Sequence, residues 1–227
     1  MKPSRILVII LILTGSGLMH LDAEDEWRAD ERNRDVLIRH LREALGSVGG
    51  CGRFYYAGPC TGGGPEAGFP QLKLQQPMKG KTGLAVVQEI FAKDKQVTVT
   101  QDRSGMIRIS VGNVPSAILQ TKIHSLKLKP EERYTPQLAL IAIESAKEVE
   151  AAMHTLGLEH PVVVVSIGIQ YPMPGLPHLS AGITDVTLDQ AFDLVAKTFG
   201  GVVTYEICMA PKGQGFFDTD FFCIACQ

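Results

Sequence analysis

Asp218 and Asp220 stand two apart in the stretch FFDTDFF. Strand alternation would put both carboxylates on one face, close enough to share a cation. The flanking aromatics would partly desolvate them, which raises carboxyl pKa values and suits acid–base work. With His178, in the proline-flanked loop segment LPHLS, they outline a metal-assisted hydrolase. The competing expectation is an edge strand whose charges discourage pairing with other chains. It is favoured, because no third ligand is identifiable. Glu150 and His154 stand four apart, a spacing that can hold zinc, but no H-E-x-x-H pattern accompanies them. His40, His124 and His160 are scattered, so this pair is expected to be a solvated helix end. TGGGPEAG lacks the Lys-Ser/Thr of a phosphate loop and is expected to be a linker. No cofactor or metal is expected.

The cysteines depend on the compartment. The N-terminal stretch MKPSRILVIILILTGSGLMHLDA has Lys2 and Arg5, an apolar run from Ile6 to Leu13, and then small residues. That is the layout of a secretory signal peptide over residues 1–23, with cleavage after Ala23, or after Gly17 as the alternative. An uncleaved N-terminal anchor is the lesser alternative. No later apolar stretch is long enough to span a bilayer, so the mature chain is expected to be periplasmic or secreted, without a stable span. In an oxidising compartment five cysteines read as staples. Cys51 and Cys60 bracket the glycine-containing CGRFYYAGPC, and Cys208 could clamp a terminal hairpin by pairing with Cys223 or Cys226. One cysteine is left over. CIAC follows an aromatic strand instead of opening a helix, which argues against a redox pair. A histidine–cysteine nucleophilic pair is likewise disfavoured, since the thiols are expected to be oxidised. Phe54, Tyr55 and Tyr56 form an aromatic cluster with two readings, local packing under a disulfide or an interaction surface.

A formal charge of −2 over 227 residues gives no support to a phosphate-tracking surface, so no nucleic-acid partner is expected. The elements that must position these groups follow from periodicity. Residues 24–50 are dense in charge, with Val36, Leu37, Leu41 and Leu45 at helical spacing before Gly49-Gly50, predicting a helix from Glu26 to Leu45 that is loosely attached or packed on a partner. Residues 51–68 carry much Gly, Pro and Cys and are expected to be a linker. From 69 to 128 the pattern predicts a strand at QLKLQ, a helix capped by Thr82, and a hairpin from Val97 to Val111. A further strand is expected at Ser125–Leu128. From 129 to 227 it predicts a long helix from Thr135 to Gly157 and a doubly buried strand at PVVVVSIGI. A capped helix and two strands follow.

The last of these, VTLDQAFDLVAKTFGGVVTYEIC, begins with a capping box of Thr187 and Gln190 and ends its helix at Gly200-Gly201. Leu188, Ala191, Phe192, Val195 and Phe199 make its apolar stripe, leaving Asp189, Asp193 and Lys197 for the outer face. The order helix, strand, strand thus occurs twice, Thr82 matching Thr187 and Val97 matching Val202. The segment resembles the short N-terminal domain of secretins and TonB-dependent receptors, with Val186, Leu188, Ala191, Phe192, Leu194, Val195, Phe199 and Tyr205 at the matching apolar positions. KTGLAVVQEIFAKDKQVTVTQDRSGMIRISV is similar. The resemblance implies small α+β modules that mediate contacts between envelope proteins and have no catalytic residues to carry over. The expectation is an α+β protein of two strand-helix-strand-strand units, acting as a non-catalytic binding or assembly module with an envelope protein partner. The alternative is the hydrolase of Asp218, Asp220 and His178.

Overall fold

The computed structural model describes residues 33–46, 50–60, 68–78, 80–160, 175–209 and 215–224. The signal-like stretch, the PVVVVSIGI strand and Cys226 lie outside the described residues. The chain is α+β, as its periodicities predict. Helix α1 spans 33–45. Then come β1 (Gly52–Pro59), α2 (Leu84–Ile90), β2 (Val97–Gln101) and β3 (Ile107–Val111). They are followed by β4 (Lys122–Lys127), α3 (Pro130–Tyr134), α4 (Pro136–Glu144), α5 (Lys147–Thr155) and β5 (Leu158–Glu159). The last are β6 (Gly182–Thr187), α6 (Leu188–Phe199), β7 (Gly201–Met209) and β8 (Gly215–Cys223).

The sheet corrects the expected division into two units. Its order is β2-β3-β1-β7-β8-β5, with β4 and β6 forming a separate antiparallel ribbon. Strand β1, expected as linker, runs through the middle, parallel to β3 on one side and to β7 on the other. The hairpins β2–β3 and β7–β8 are therefore joined into one sheet. Arg-Phe-Tyr-Tyr suits a strand buried on both faces, which does not alternate, and that is why the segment looked like linker between glycines. QLKLQ forms no strand, but Leu72 and Leu74 pack on the core.

Alternation along β1 divides the core. Phe54 and Tyr56 join Ile107, Ile109, Val111 and Val202 under α1 and α2. Tyr55 joins Val203, Tyr205, Ile207, Phe217 and Phe221 under α4, α5 and α6. Helix α1 is firmly docked, with Leu37, Leu41, Ala44 and Leu45 buried. Phe54, Tyr55 and Tyr56 are buried as well, so they form core and no interaction surface.

The long helix is broken. Ala146 is extended (φ −64°, ψ 134°) between α4 and α5. Helix α4 buries Ala139, Leu140, Ile143 and Glu144, whereas α5 buries Val149 and Met153. At about 100° per residue, an unbroken helix would carry the first stripe on to Lys147, Glu150 and His154. The break turns α5 so that Val149 and Met153 meet the same core, and Glu150 and His154 are left exposed. Periodicity could not show this, because LALIAI is apolar all round.

Cysteine pairing is also corrected. Cys60 is bonded to Cys208, and Cys51 is a free thiol. Cys51 and Cys60 lie at opposite ends of β1, roughly 30 Å apart at strand rise, beyond the reach of a disulfide. Cys208 faces Phe216 near the hairpin turn, while Cys223 faces Gly201 at the far end, so these two cannot clamp the hairpin either. Cys223 is itself disulfide-bonded.

Replacing Cys60 and Cys208 together by alanine should lower unfolding free energy by about 2–4 kcal/mol, since the bridge closes a long loop. Urea denaturation measures the loss, and peptide mapping without reductant should recover Cys60 joined to Cys208.

Candidate functional site

The capping box forms as predicted. Gln190 N–H donates to Thr187 Oγ1 at 3.2 Å, and Thr187 N–H donates to Gln190 Oε1 at 2.9 Å. It starts α6 with Asp189 and Asp193 one turn apart on one face. That face meets the sheet. On β1 and β3, Arg53 and Arg108 are direct register partners and point to the same side. The guanidinium of Arg53 donates from Nη1 to the Asp189 carboxylate and backbone carbonyl, and its Nη2 lies 3.0 Å from Asp193 Oδ1. Arg108 reaches Asp189 Oδ2 at 2.7 Å and Asp102 Oδ2 at 2.9 Å, with Asp193 Oδ2 at 3.6 Å. Tyr55 Oη donates to Asp189 Oδ1 at 3.2 Å.

Asp189 and Asp193, expected on the outer face of α6, are therefore corrected to an inward charged cluster. Arg53 has no exposed side chain, and the two aspartates are about one-seventh exposed. Burial works against ionisation of Asp189, but Arg53 and Arg108 outweigh it and hold its pKa below the usual carboxylate range. Burial prevails at Asp193, whose pKa is raised despite both arginines. Burial also lifts the Tyr55 phenol far above its ordinary value. The sequence signal for this cluster was an arginine beside aromatics in RFYY facing an i, i+4 aspartate pair. It is legible only once β1 is known to be a strand.

The cluster locks α6 to the sheet. Asp189 accepts from three side chains, which leaves little capacity for a substrate. Nearby, Cys51 and Lys197 line a cleft of about 360 Å³. Burial pushes the Cys51 thiol up, disfavouring the thiolate that a nucleophile needs.

The other predicted site residues are not brought together. Asp218 and Asp220 do share a face of β8, the face toward α1, where Asp220 pairs with Arg34. His178 stacks on Tyr134, its Nδ1 3.0 Å from the Leu176 carbonyl. The adjacent Leu179 packs in the core on the opposite side of the sheet. Among the described residues, no three His, Cys, Asp or Glu side chains group so as to hold a metal ion.

A second buried carboxyl has no counterpart among the candidates that the sequence offers. Glu144, within apolar α4, accepts a hydrogen bond from the Thr219 hydroxyl and lies 3.5 Å from His160 Nδ1. Burial raises its pKa well above the usual value, and the charge on Asp218 adds to this. Burial lowers that of His160.

Strand β2 is one edge of the six-stranded sheet. Gly112 N–H donates to the Gln96 carbonyl and Asp102 N–H to the Met106 carbonyl. In an antiparallel ladder this alternation directs the amides of Val97, Val99 and Gln101 away from β3. Val97 N–H is taken by the Asp94 carbonyl, and the Val99 carbonyl is met by exposed Gln88 at 3.4 Å. Among the described residues, Val99 N–H and both backbone groups of Gln101 meet no partner, along an edge whose sequence carries no charge and no proline.

Arg53→Ala should cost about 3–5 kcal/mol in urea denaturation, because it strands buried carboxylates. Glu144→Gln tests the second carboxyl. A raised folded pKa means that the contribution is full below the unfolded value and is lost as pH rises through the folded one. Over that window, wild type should lose stability relative to the glutamine variant by up to about 1.4 kcal/mol per pH unit. Compared with known proteins, the chain matches no family model, no curated protein and no solved structure.

Proposed function

We propose that this protein is an exported, non-catalytic binding or assembly module of a bacterial envelope, and that it engages an envelope protein partner through the edge of β2. The observation that carries this is the outward row of backbone groups at Val99 and Gln101. Such an edge is a template for strand addition, in which main-chain hydrogen bonds give affinity and alternate side chains give selectivity. Natural edges are commonly guarded by charge, proline or a bulge, and the β2 sequence VTVTQ has neither charge nor proline.

Three features support the compartment. The N-terminal stretch has the layout of a secretory signal. The Cys60–Cys208 bridge suits an oxidising environment. Among the described residues, no helix is long and apolar enough to cross a membrane. The likeness of residues 186–208 to the short N-terminal domain of secretins and TonB-dependent receptors points to the same kind of role.

A photo-crosslinking residue in place of exposed Thr98, in intact cells, tests the proposal. A discrete adduct with one envelope protein is expected, absent when the crosslinker replaces exposed Lys127 on the β4–β6 ribbon. Val99→Pro removes an outward N–H and no β3 hydrogen bond, so it should abolish the adduct while the fold persists by circular dichroism. An adduct insensitive to Val99→Pro, or none at all, would sink the proposal.

A further inference from the structure

Resting on that assignment of the β2 edge, we infer that the occupant is an extended, β-branched segment of another protein flanked by acidic residues. The charges at the two ends of the strand select such a segment. Lys93 and Lys95 precede β2 and Arg103 follows it, and all three side chains are exposed. The two acids in the same turns are engaged by the chain itself, Asp94 buried and Asp102 partly exposed. Asp94 is buried, accepting from Lys73 N–H and Gln96 N–H, each at 3.1 Å. Asp102 accepts from Ser104 N–H at 2.8 Å, the Ser104 hydroxyl at 2.6 Å and Met106 N–H at 3.1 Å, and it pairs with Arg108. Both carboxylates are engaged within the chain while the three cations point outward, so an incoming strand meets an uncharged centre with cations at both ends.

The centre sets the rest of the chemistry. Val97 and Val99 are half-buried against the core beneath α2, while Thr98 and Thr100 are exposed on the other side. A guest strand of alternating valine and threonine would extend both rows, since β-branched pairs and threonine pairs favour adjacent strands. A second copy of this chain is a poorer guest. The one antiparallel register that pairs all five residues of β2 with themselves sets Lys95 of each copy opposite Arg103 of the other. Like charges directly opposite one another are destabilising.

The test uses the full exported chain and three synthetic peptides with a Val-Thr-Val-Thr-Val centre. Their ends carry Asp-Glu, Gly-Ser or Lys-Lys pairs. Fluorescence anisotropy reads affinity, and hydrogen exchange reads protection of the Val99 and Gln101 amides. The acid-ended peptide should bind about tenfold more tightly than the lysine-ended one at low salt, as expected for a few exposed ion pairs, with the margin shrinking as salt rises. Lys93→Glu, Lys95→Glu and Arg103→Glu together should reverse the order. Equal binding of all three peptides, with both amides protected, would overturn the acidic partner and leave the edge assignment standing. No protection by any peptide would overturn both. Protection of both amides without peptide, rising with concentration as dimer forms in sedimentation, would make a second copy the occupant.

Discussion

Arg53 carries a full charge on the central strand of the sheet with no exposed side chain. An unpaired guanidinium there would cost several kcal/mol, so the layer above it must supply carboxylates at fixed places. Helix α6 does so with Asp189 and Asp193, whose four-residue spacing sets the rotation of the helix about its axis. Arg108 shares Asp189 from the neighbouring strand, which ties the register of β1 with β3 to the same helix. Register and helix rotation are thereby fixed together. A one-residue slip of β1 would turn Arg53 toward the apolar layer of α1 and α2, where no partner awaits it.

This explains why two similar helix-strand-strand segments end as one body. The first hairpin supplies Arg108 and Asp102, the second segment supplies α6, and β1 supplies the guanidinium between them. The other end of β1 is held covalently, since Cys60 just beyond it is bonded to Cys208 on β7. A strand pinned by ions at its start and by sulfur at its end makes a rigid spine. The outermost strand, β2, is then presented by a scaffold that does not have to move.

What was legible in the sequence was local. The capping box of Thr187 and Gln190, the left-handed Gly200 that ends α6 and the hairpin around Gly105 depend on neighbours in the chain, and each formed as read. What was not legible depended on contacts far apart in sequence. Asp189 looked solvated because its partner Arg53 lies 136 residues away, in a segment that glycine and proline disguised as linker. The break at Ala146 was hidden because α4 is apolar on every face, so only packing selects which residues it buries. The cysteine pairs followed strand length, which a bracket of residue spacings cannot convey. The acidic pair on β8 was correctly placed on one face, yet Arg34 takes Asp220, and His178 stacks on Tyr134 beside Leu179, which packs in the opposite layer.

The same economy of charge shapes the surface. Asp189 and Asp193 are absorbed by the lock, Asp220 by Arg34, and Asp94 and Asp102 by the turns that bracket β2. Each carboxylate paired in this way has less capacity left for a further ligand. That weakens a hydrolytic role more than a binding one, because strand addition draws on backbone groups that no side chain needs to supply. Turn formation and charge selection at β2 are also one device. Asp102 closes the turn into β3 while leaving Arg103 outward, so the geometry that ends the edge strand also gives it its sign.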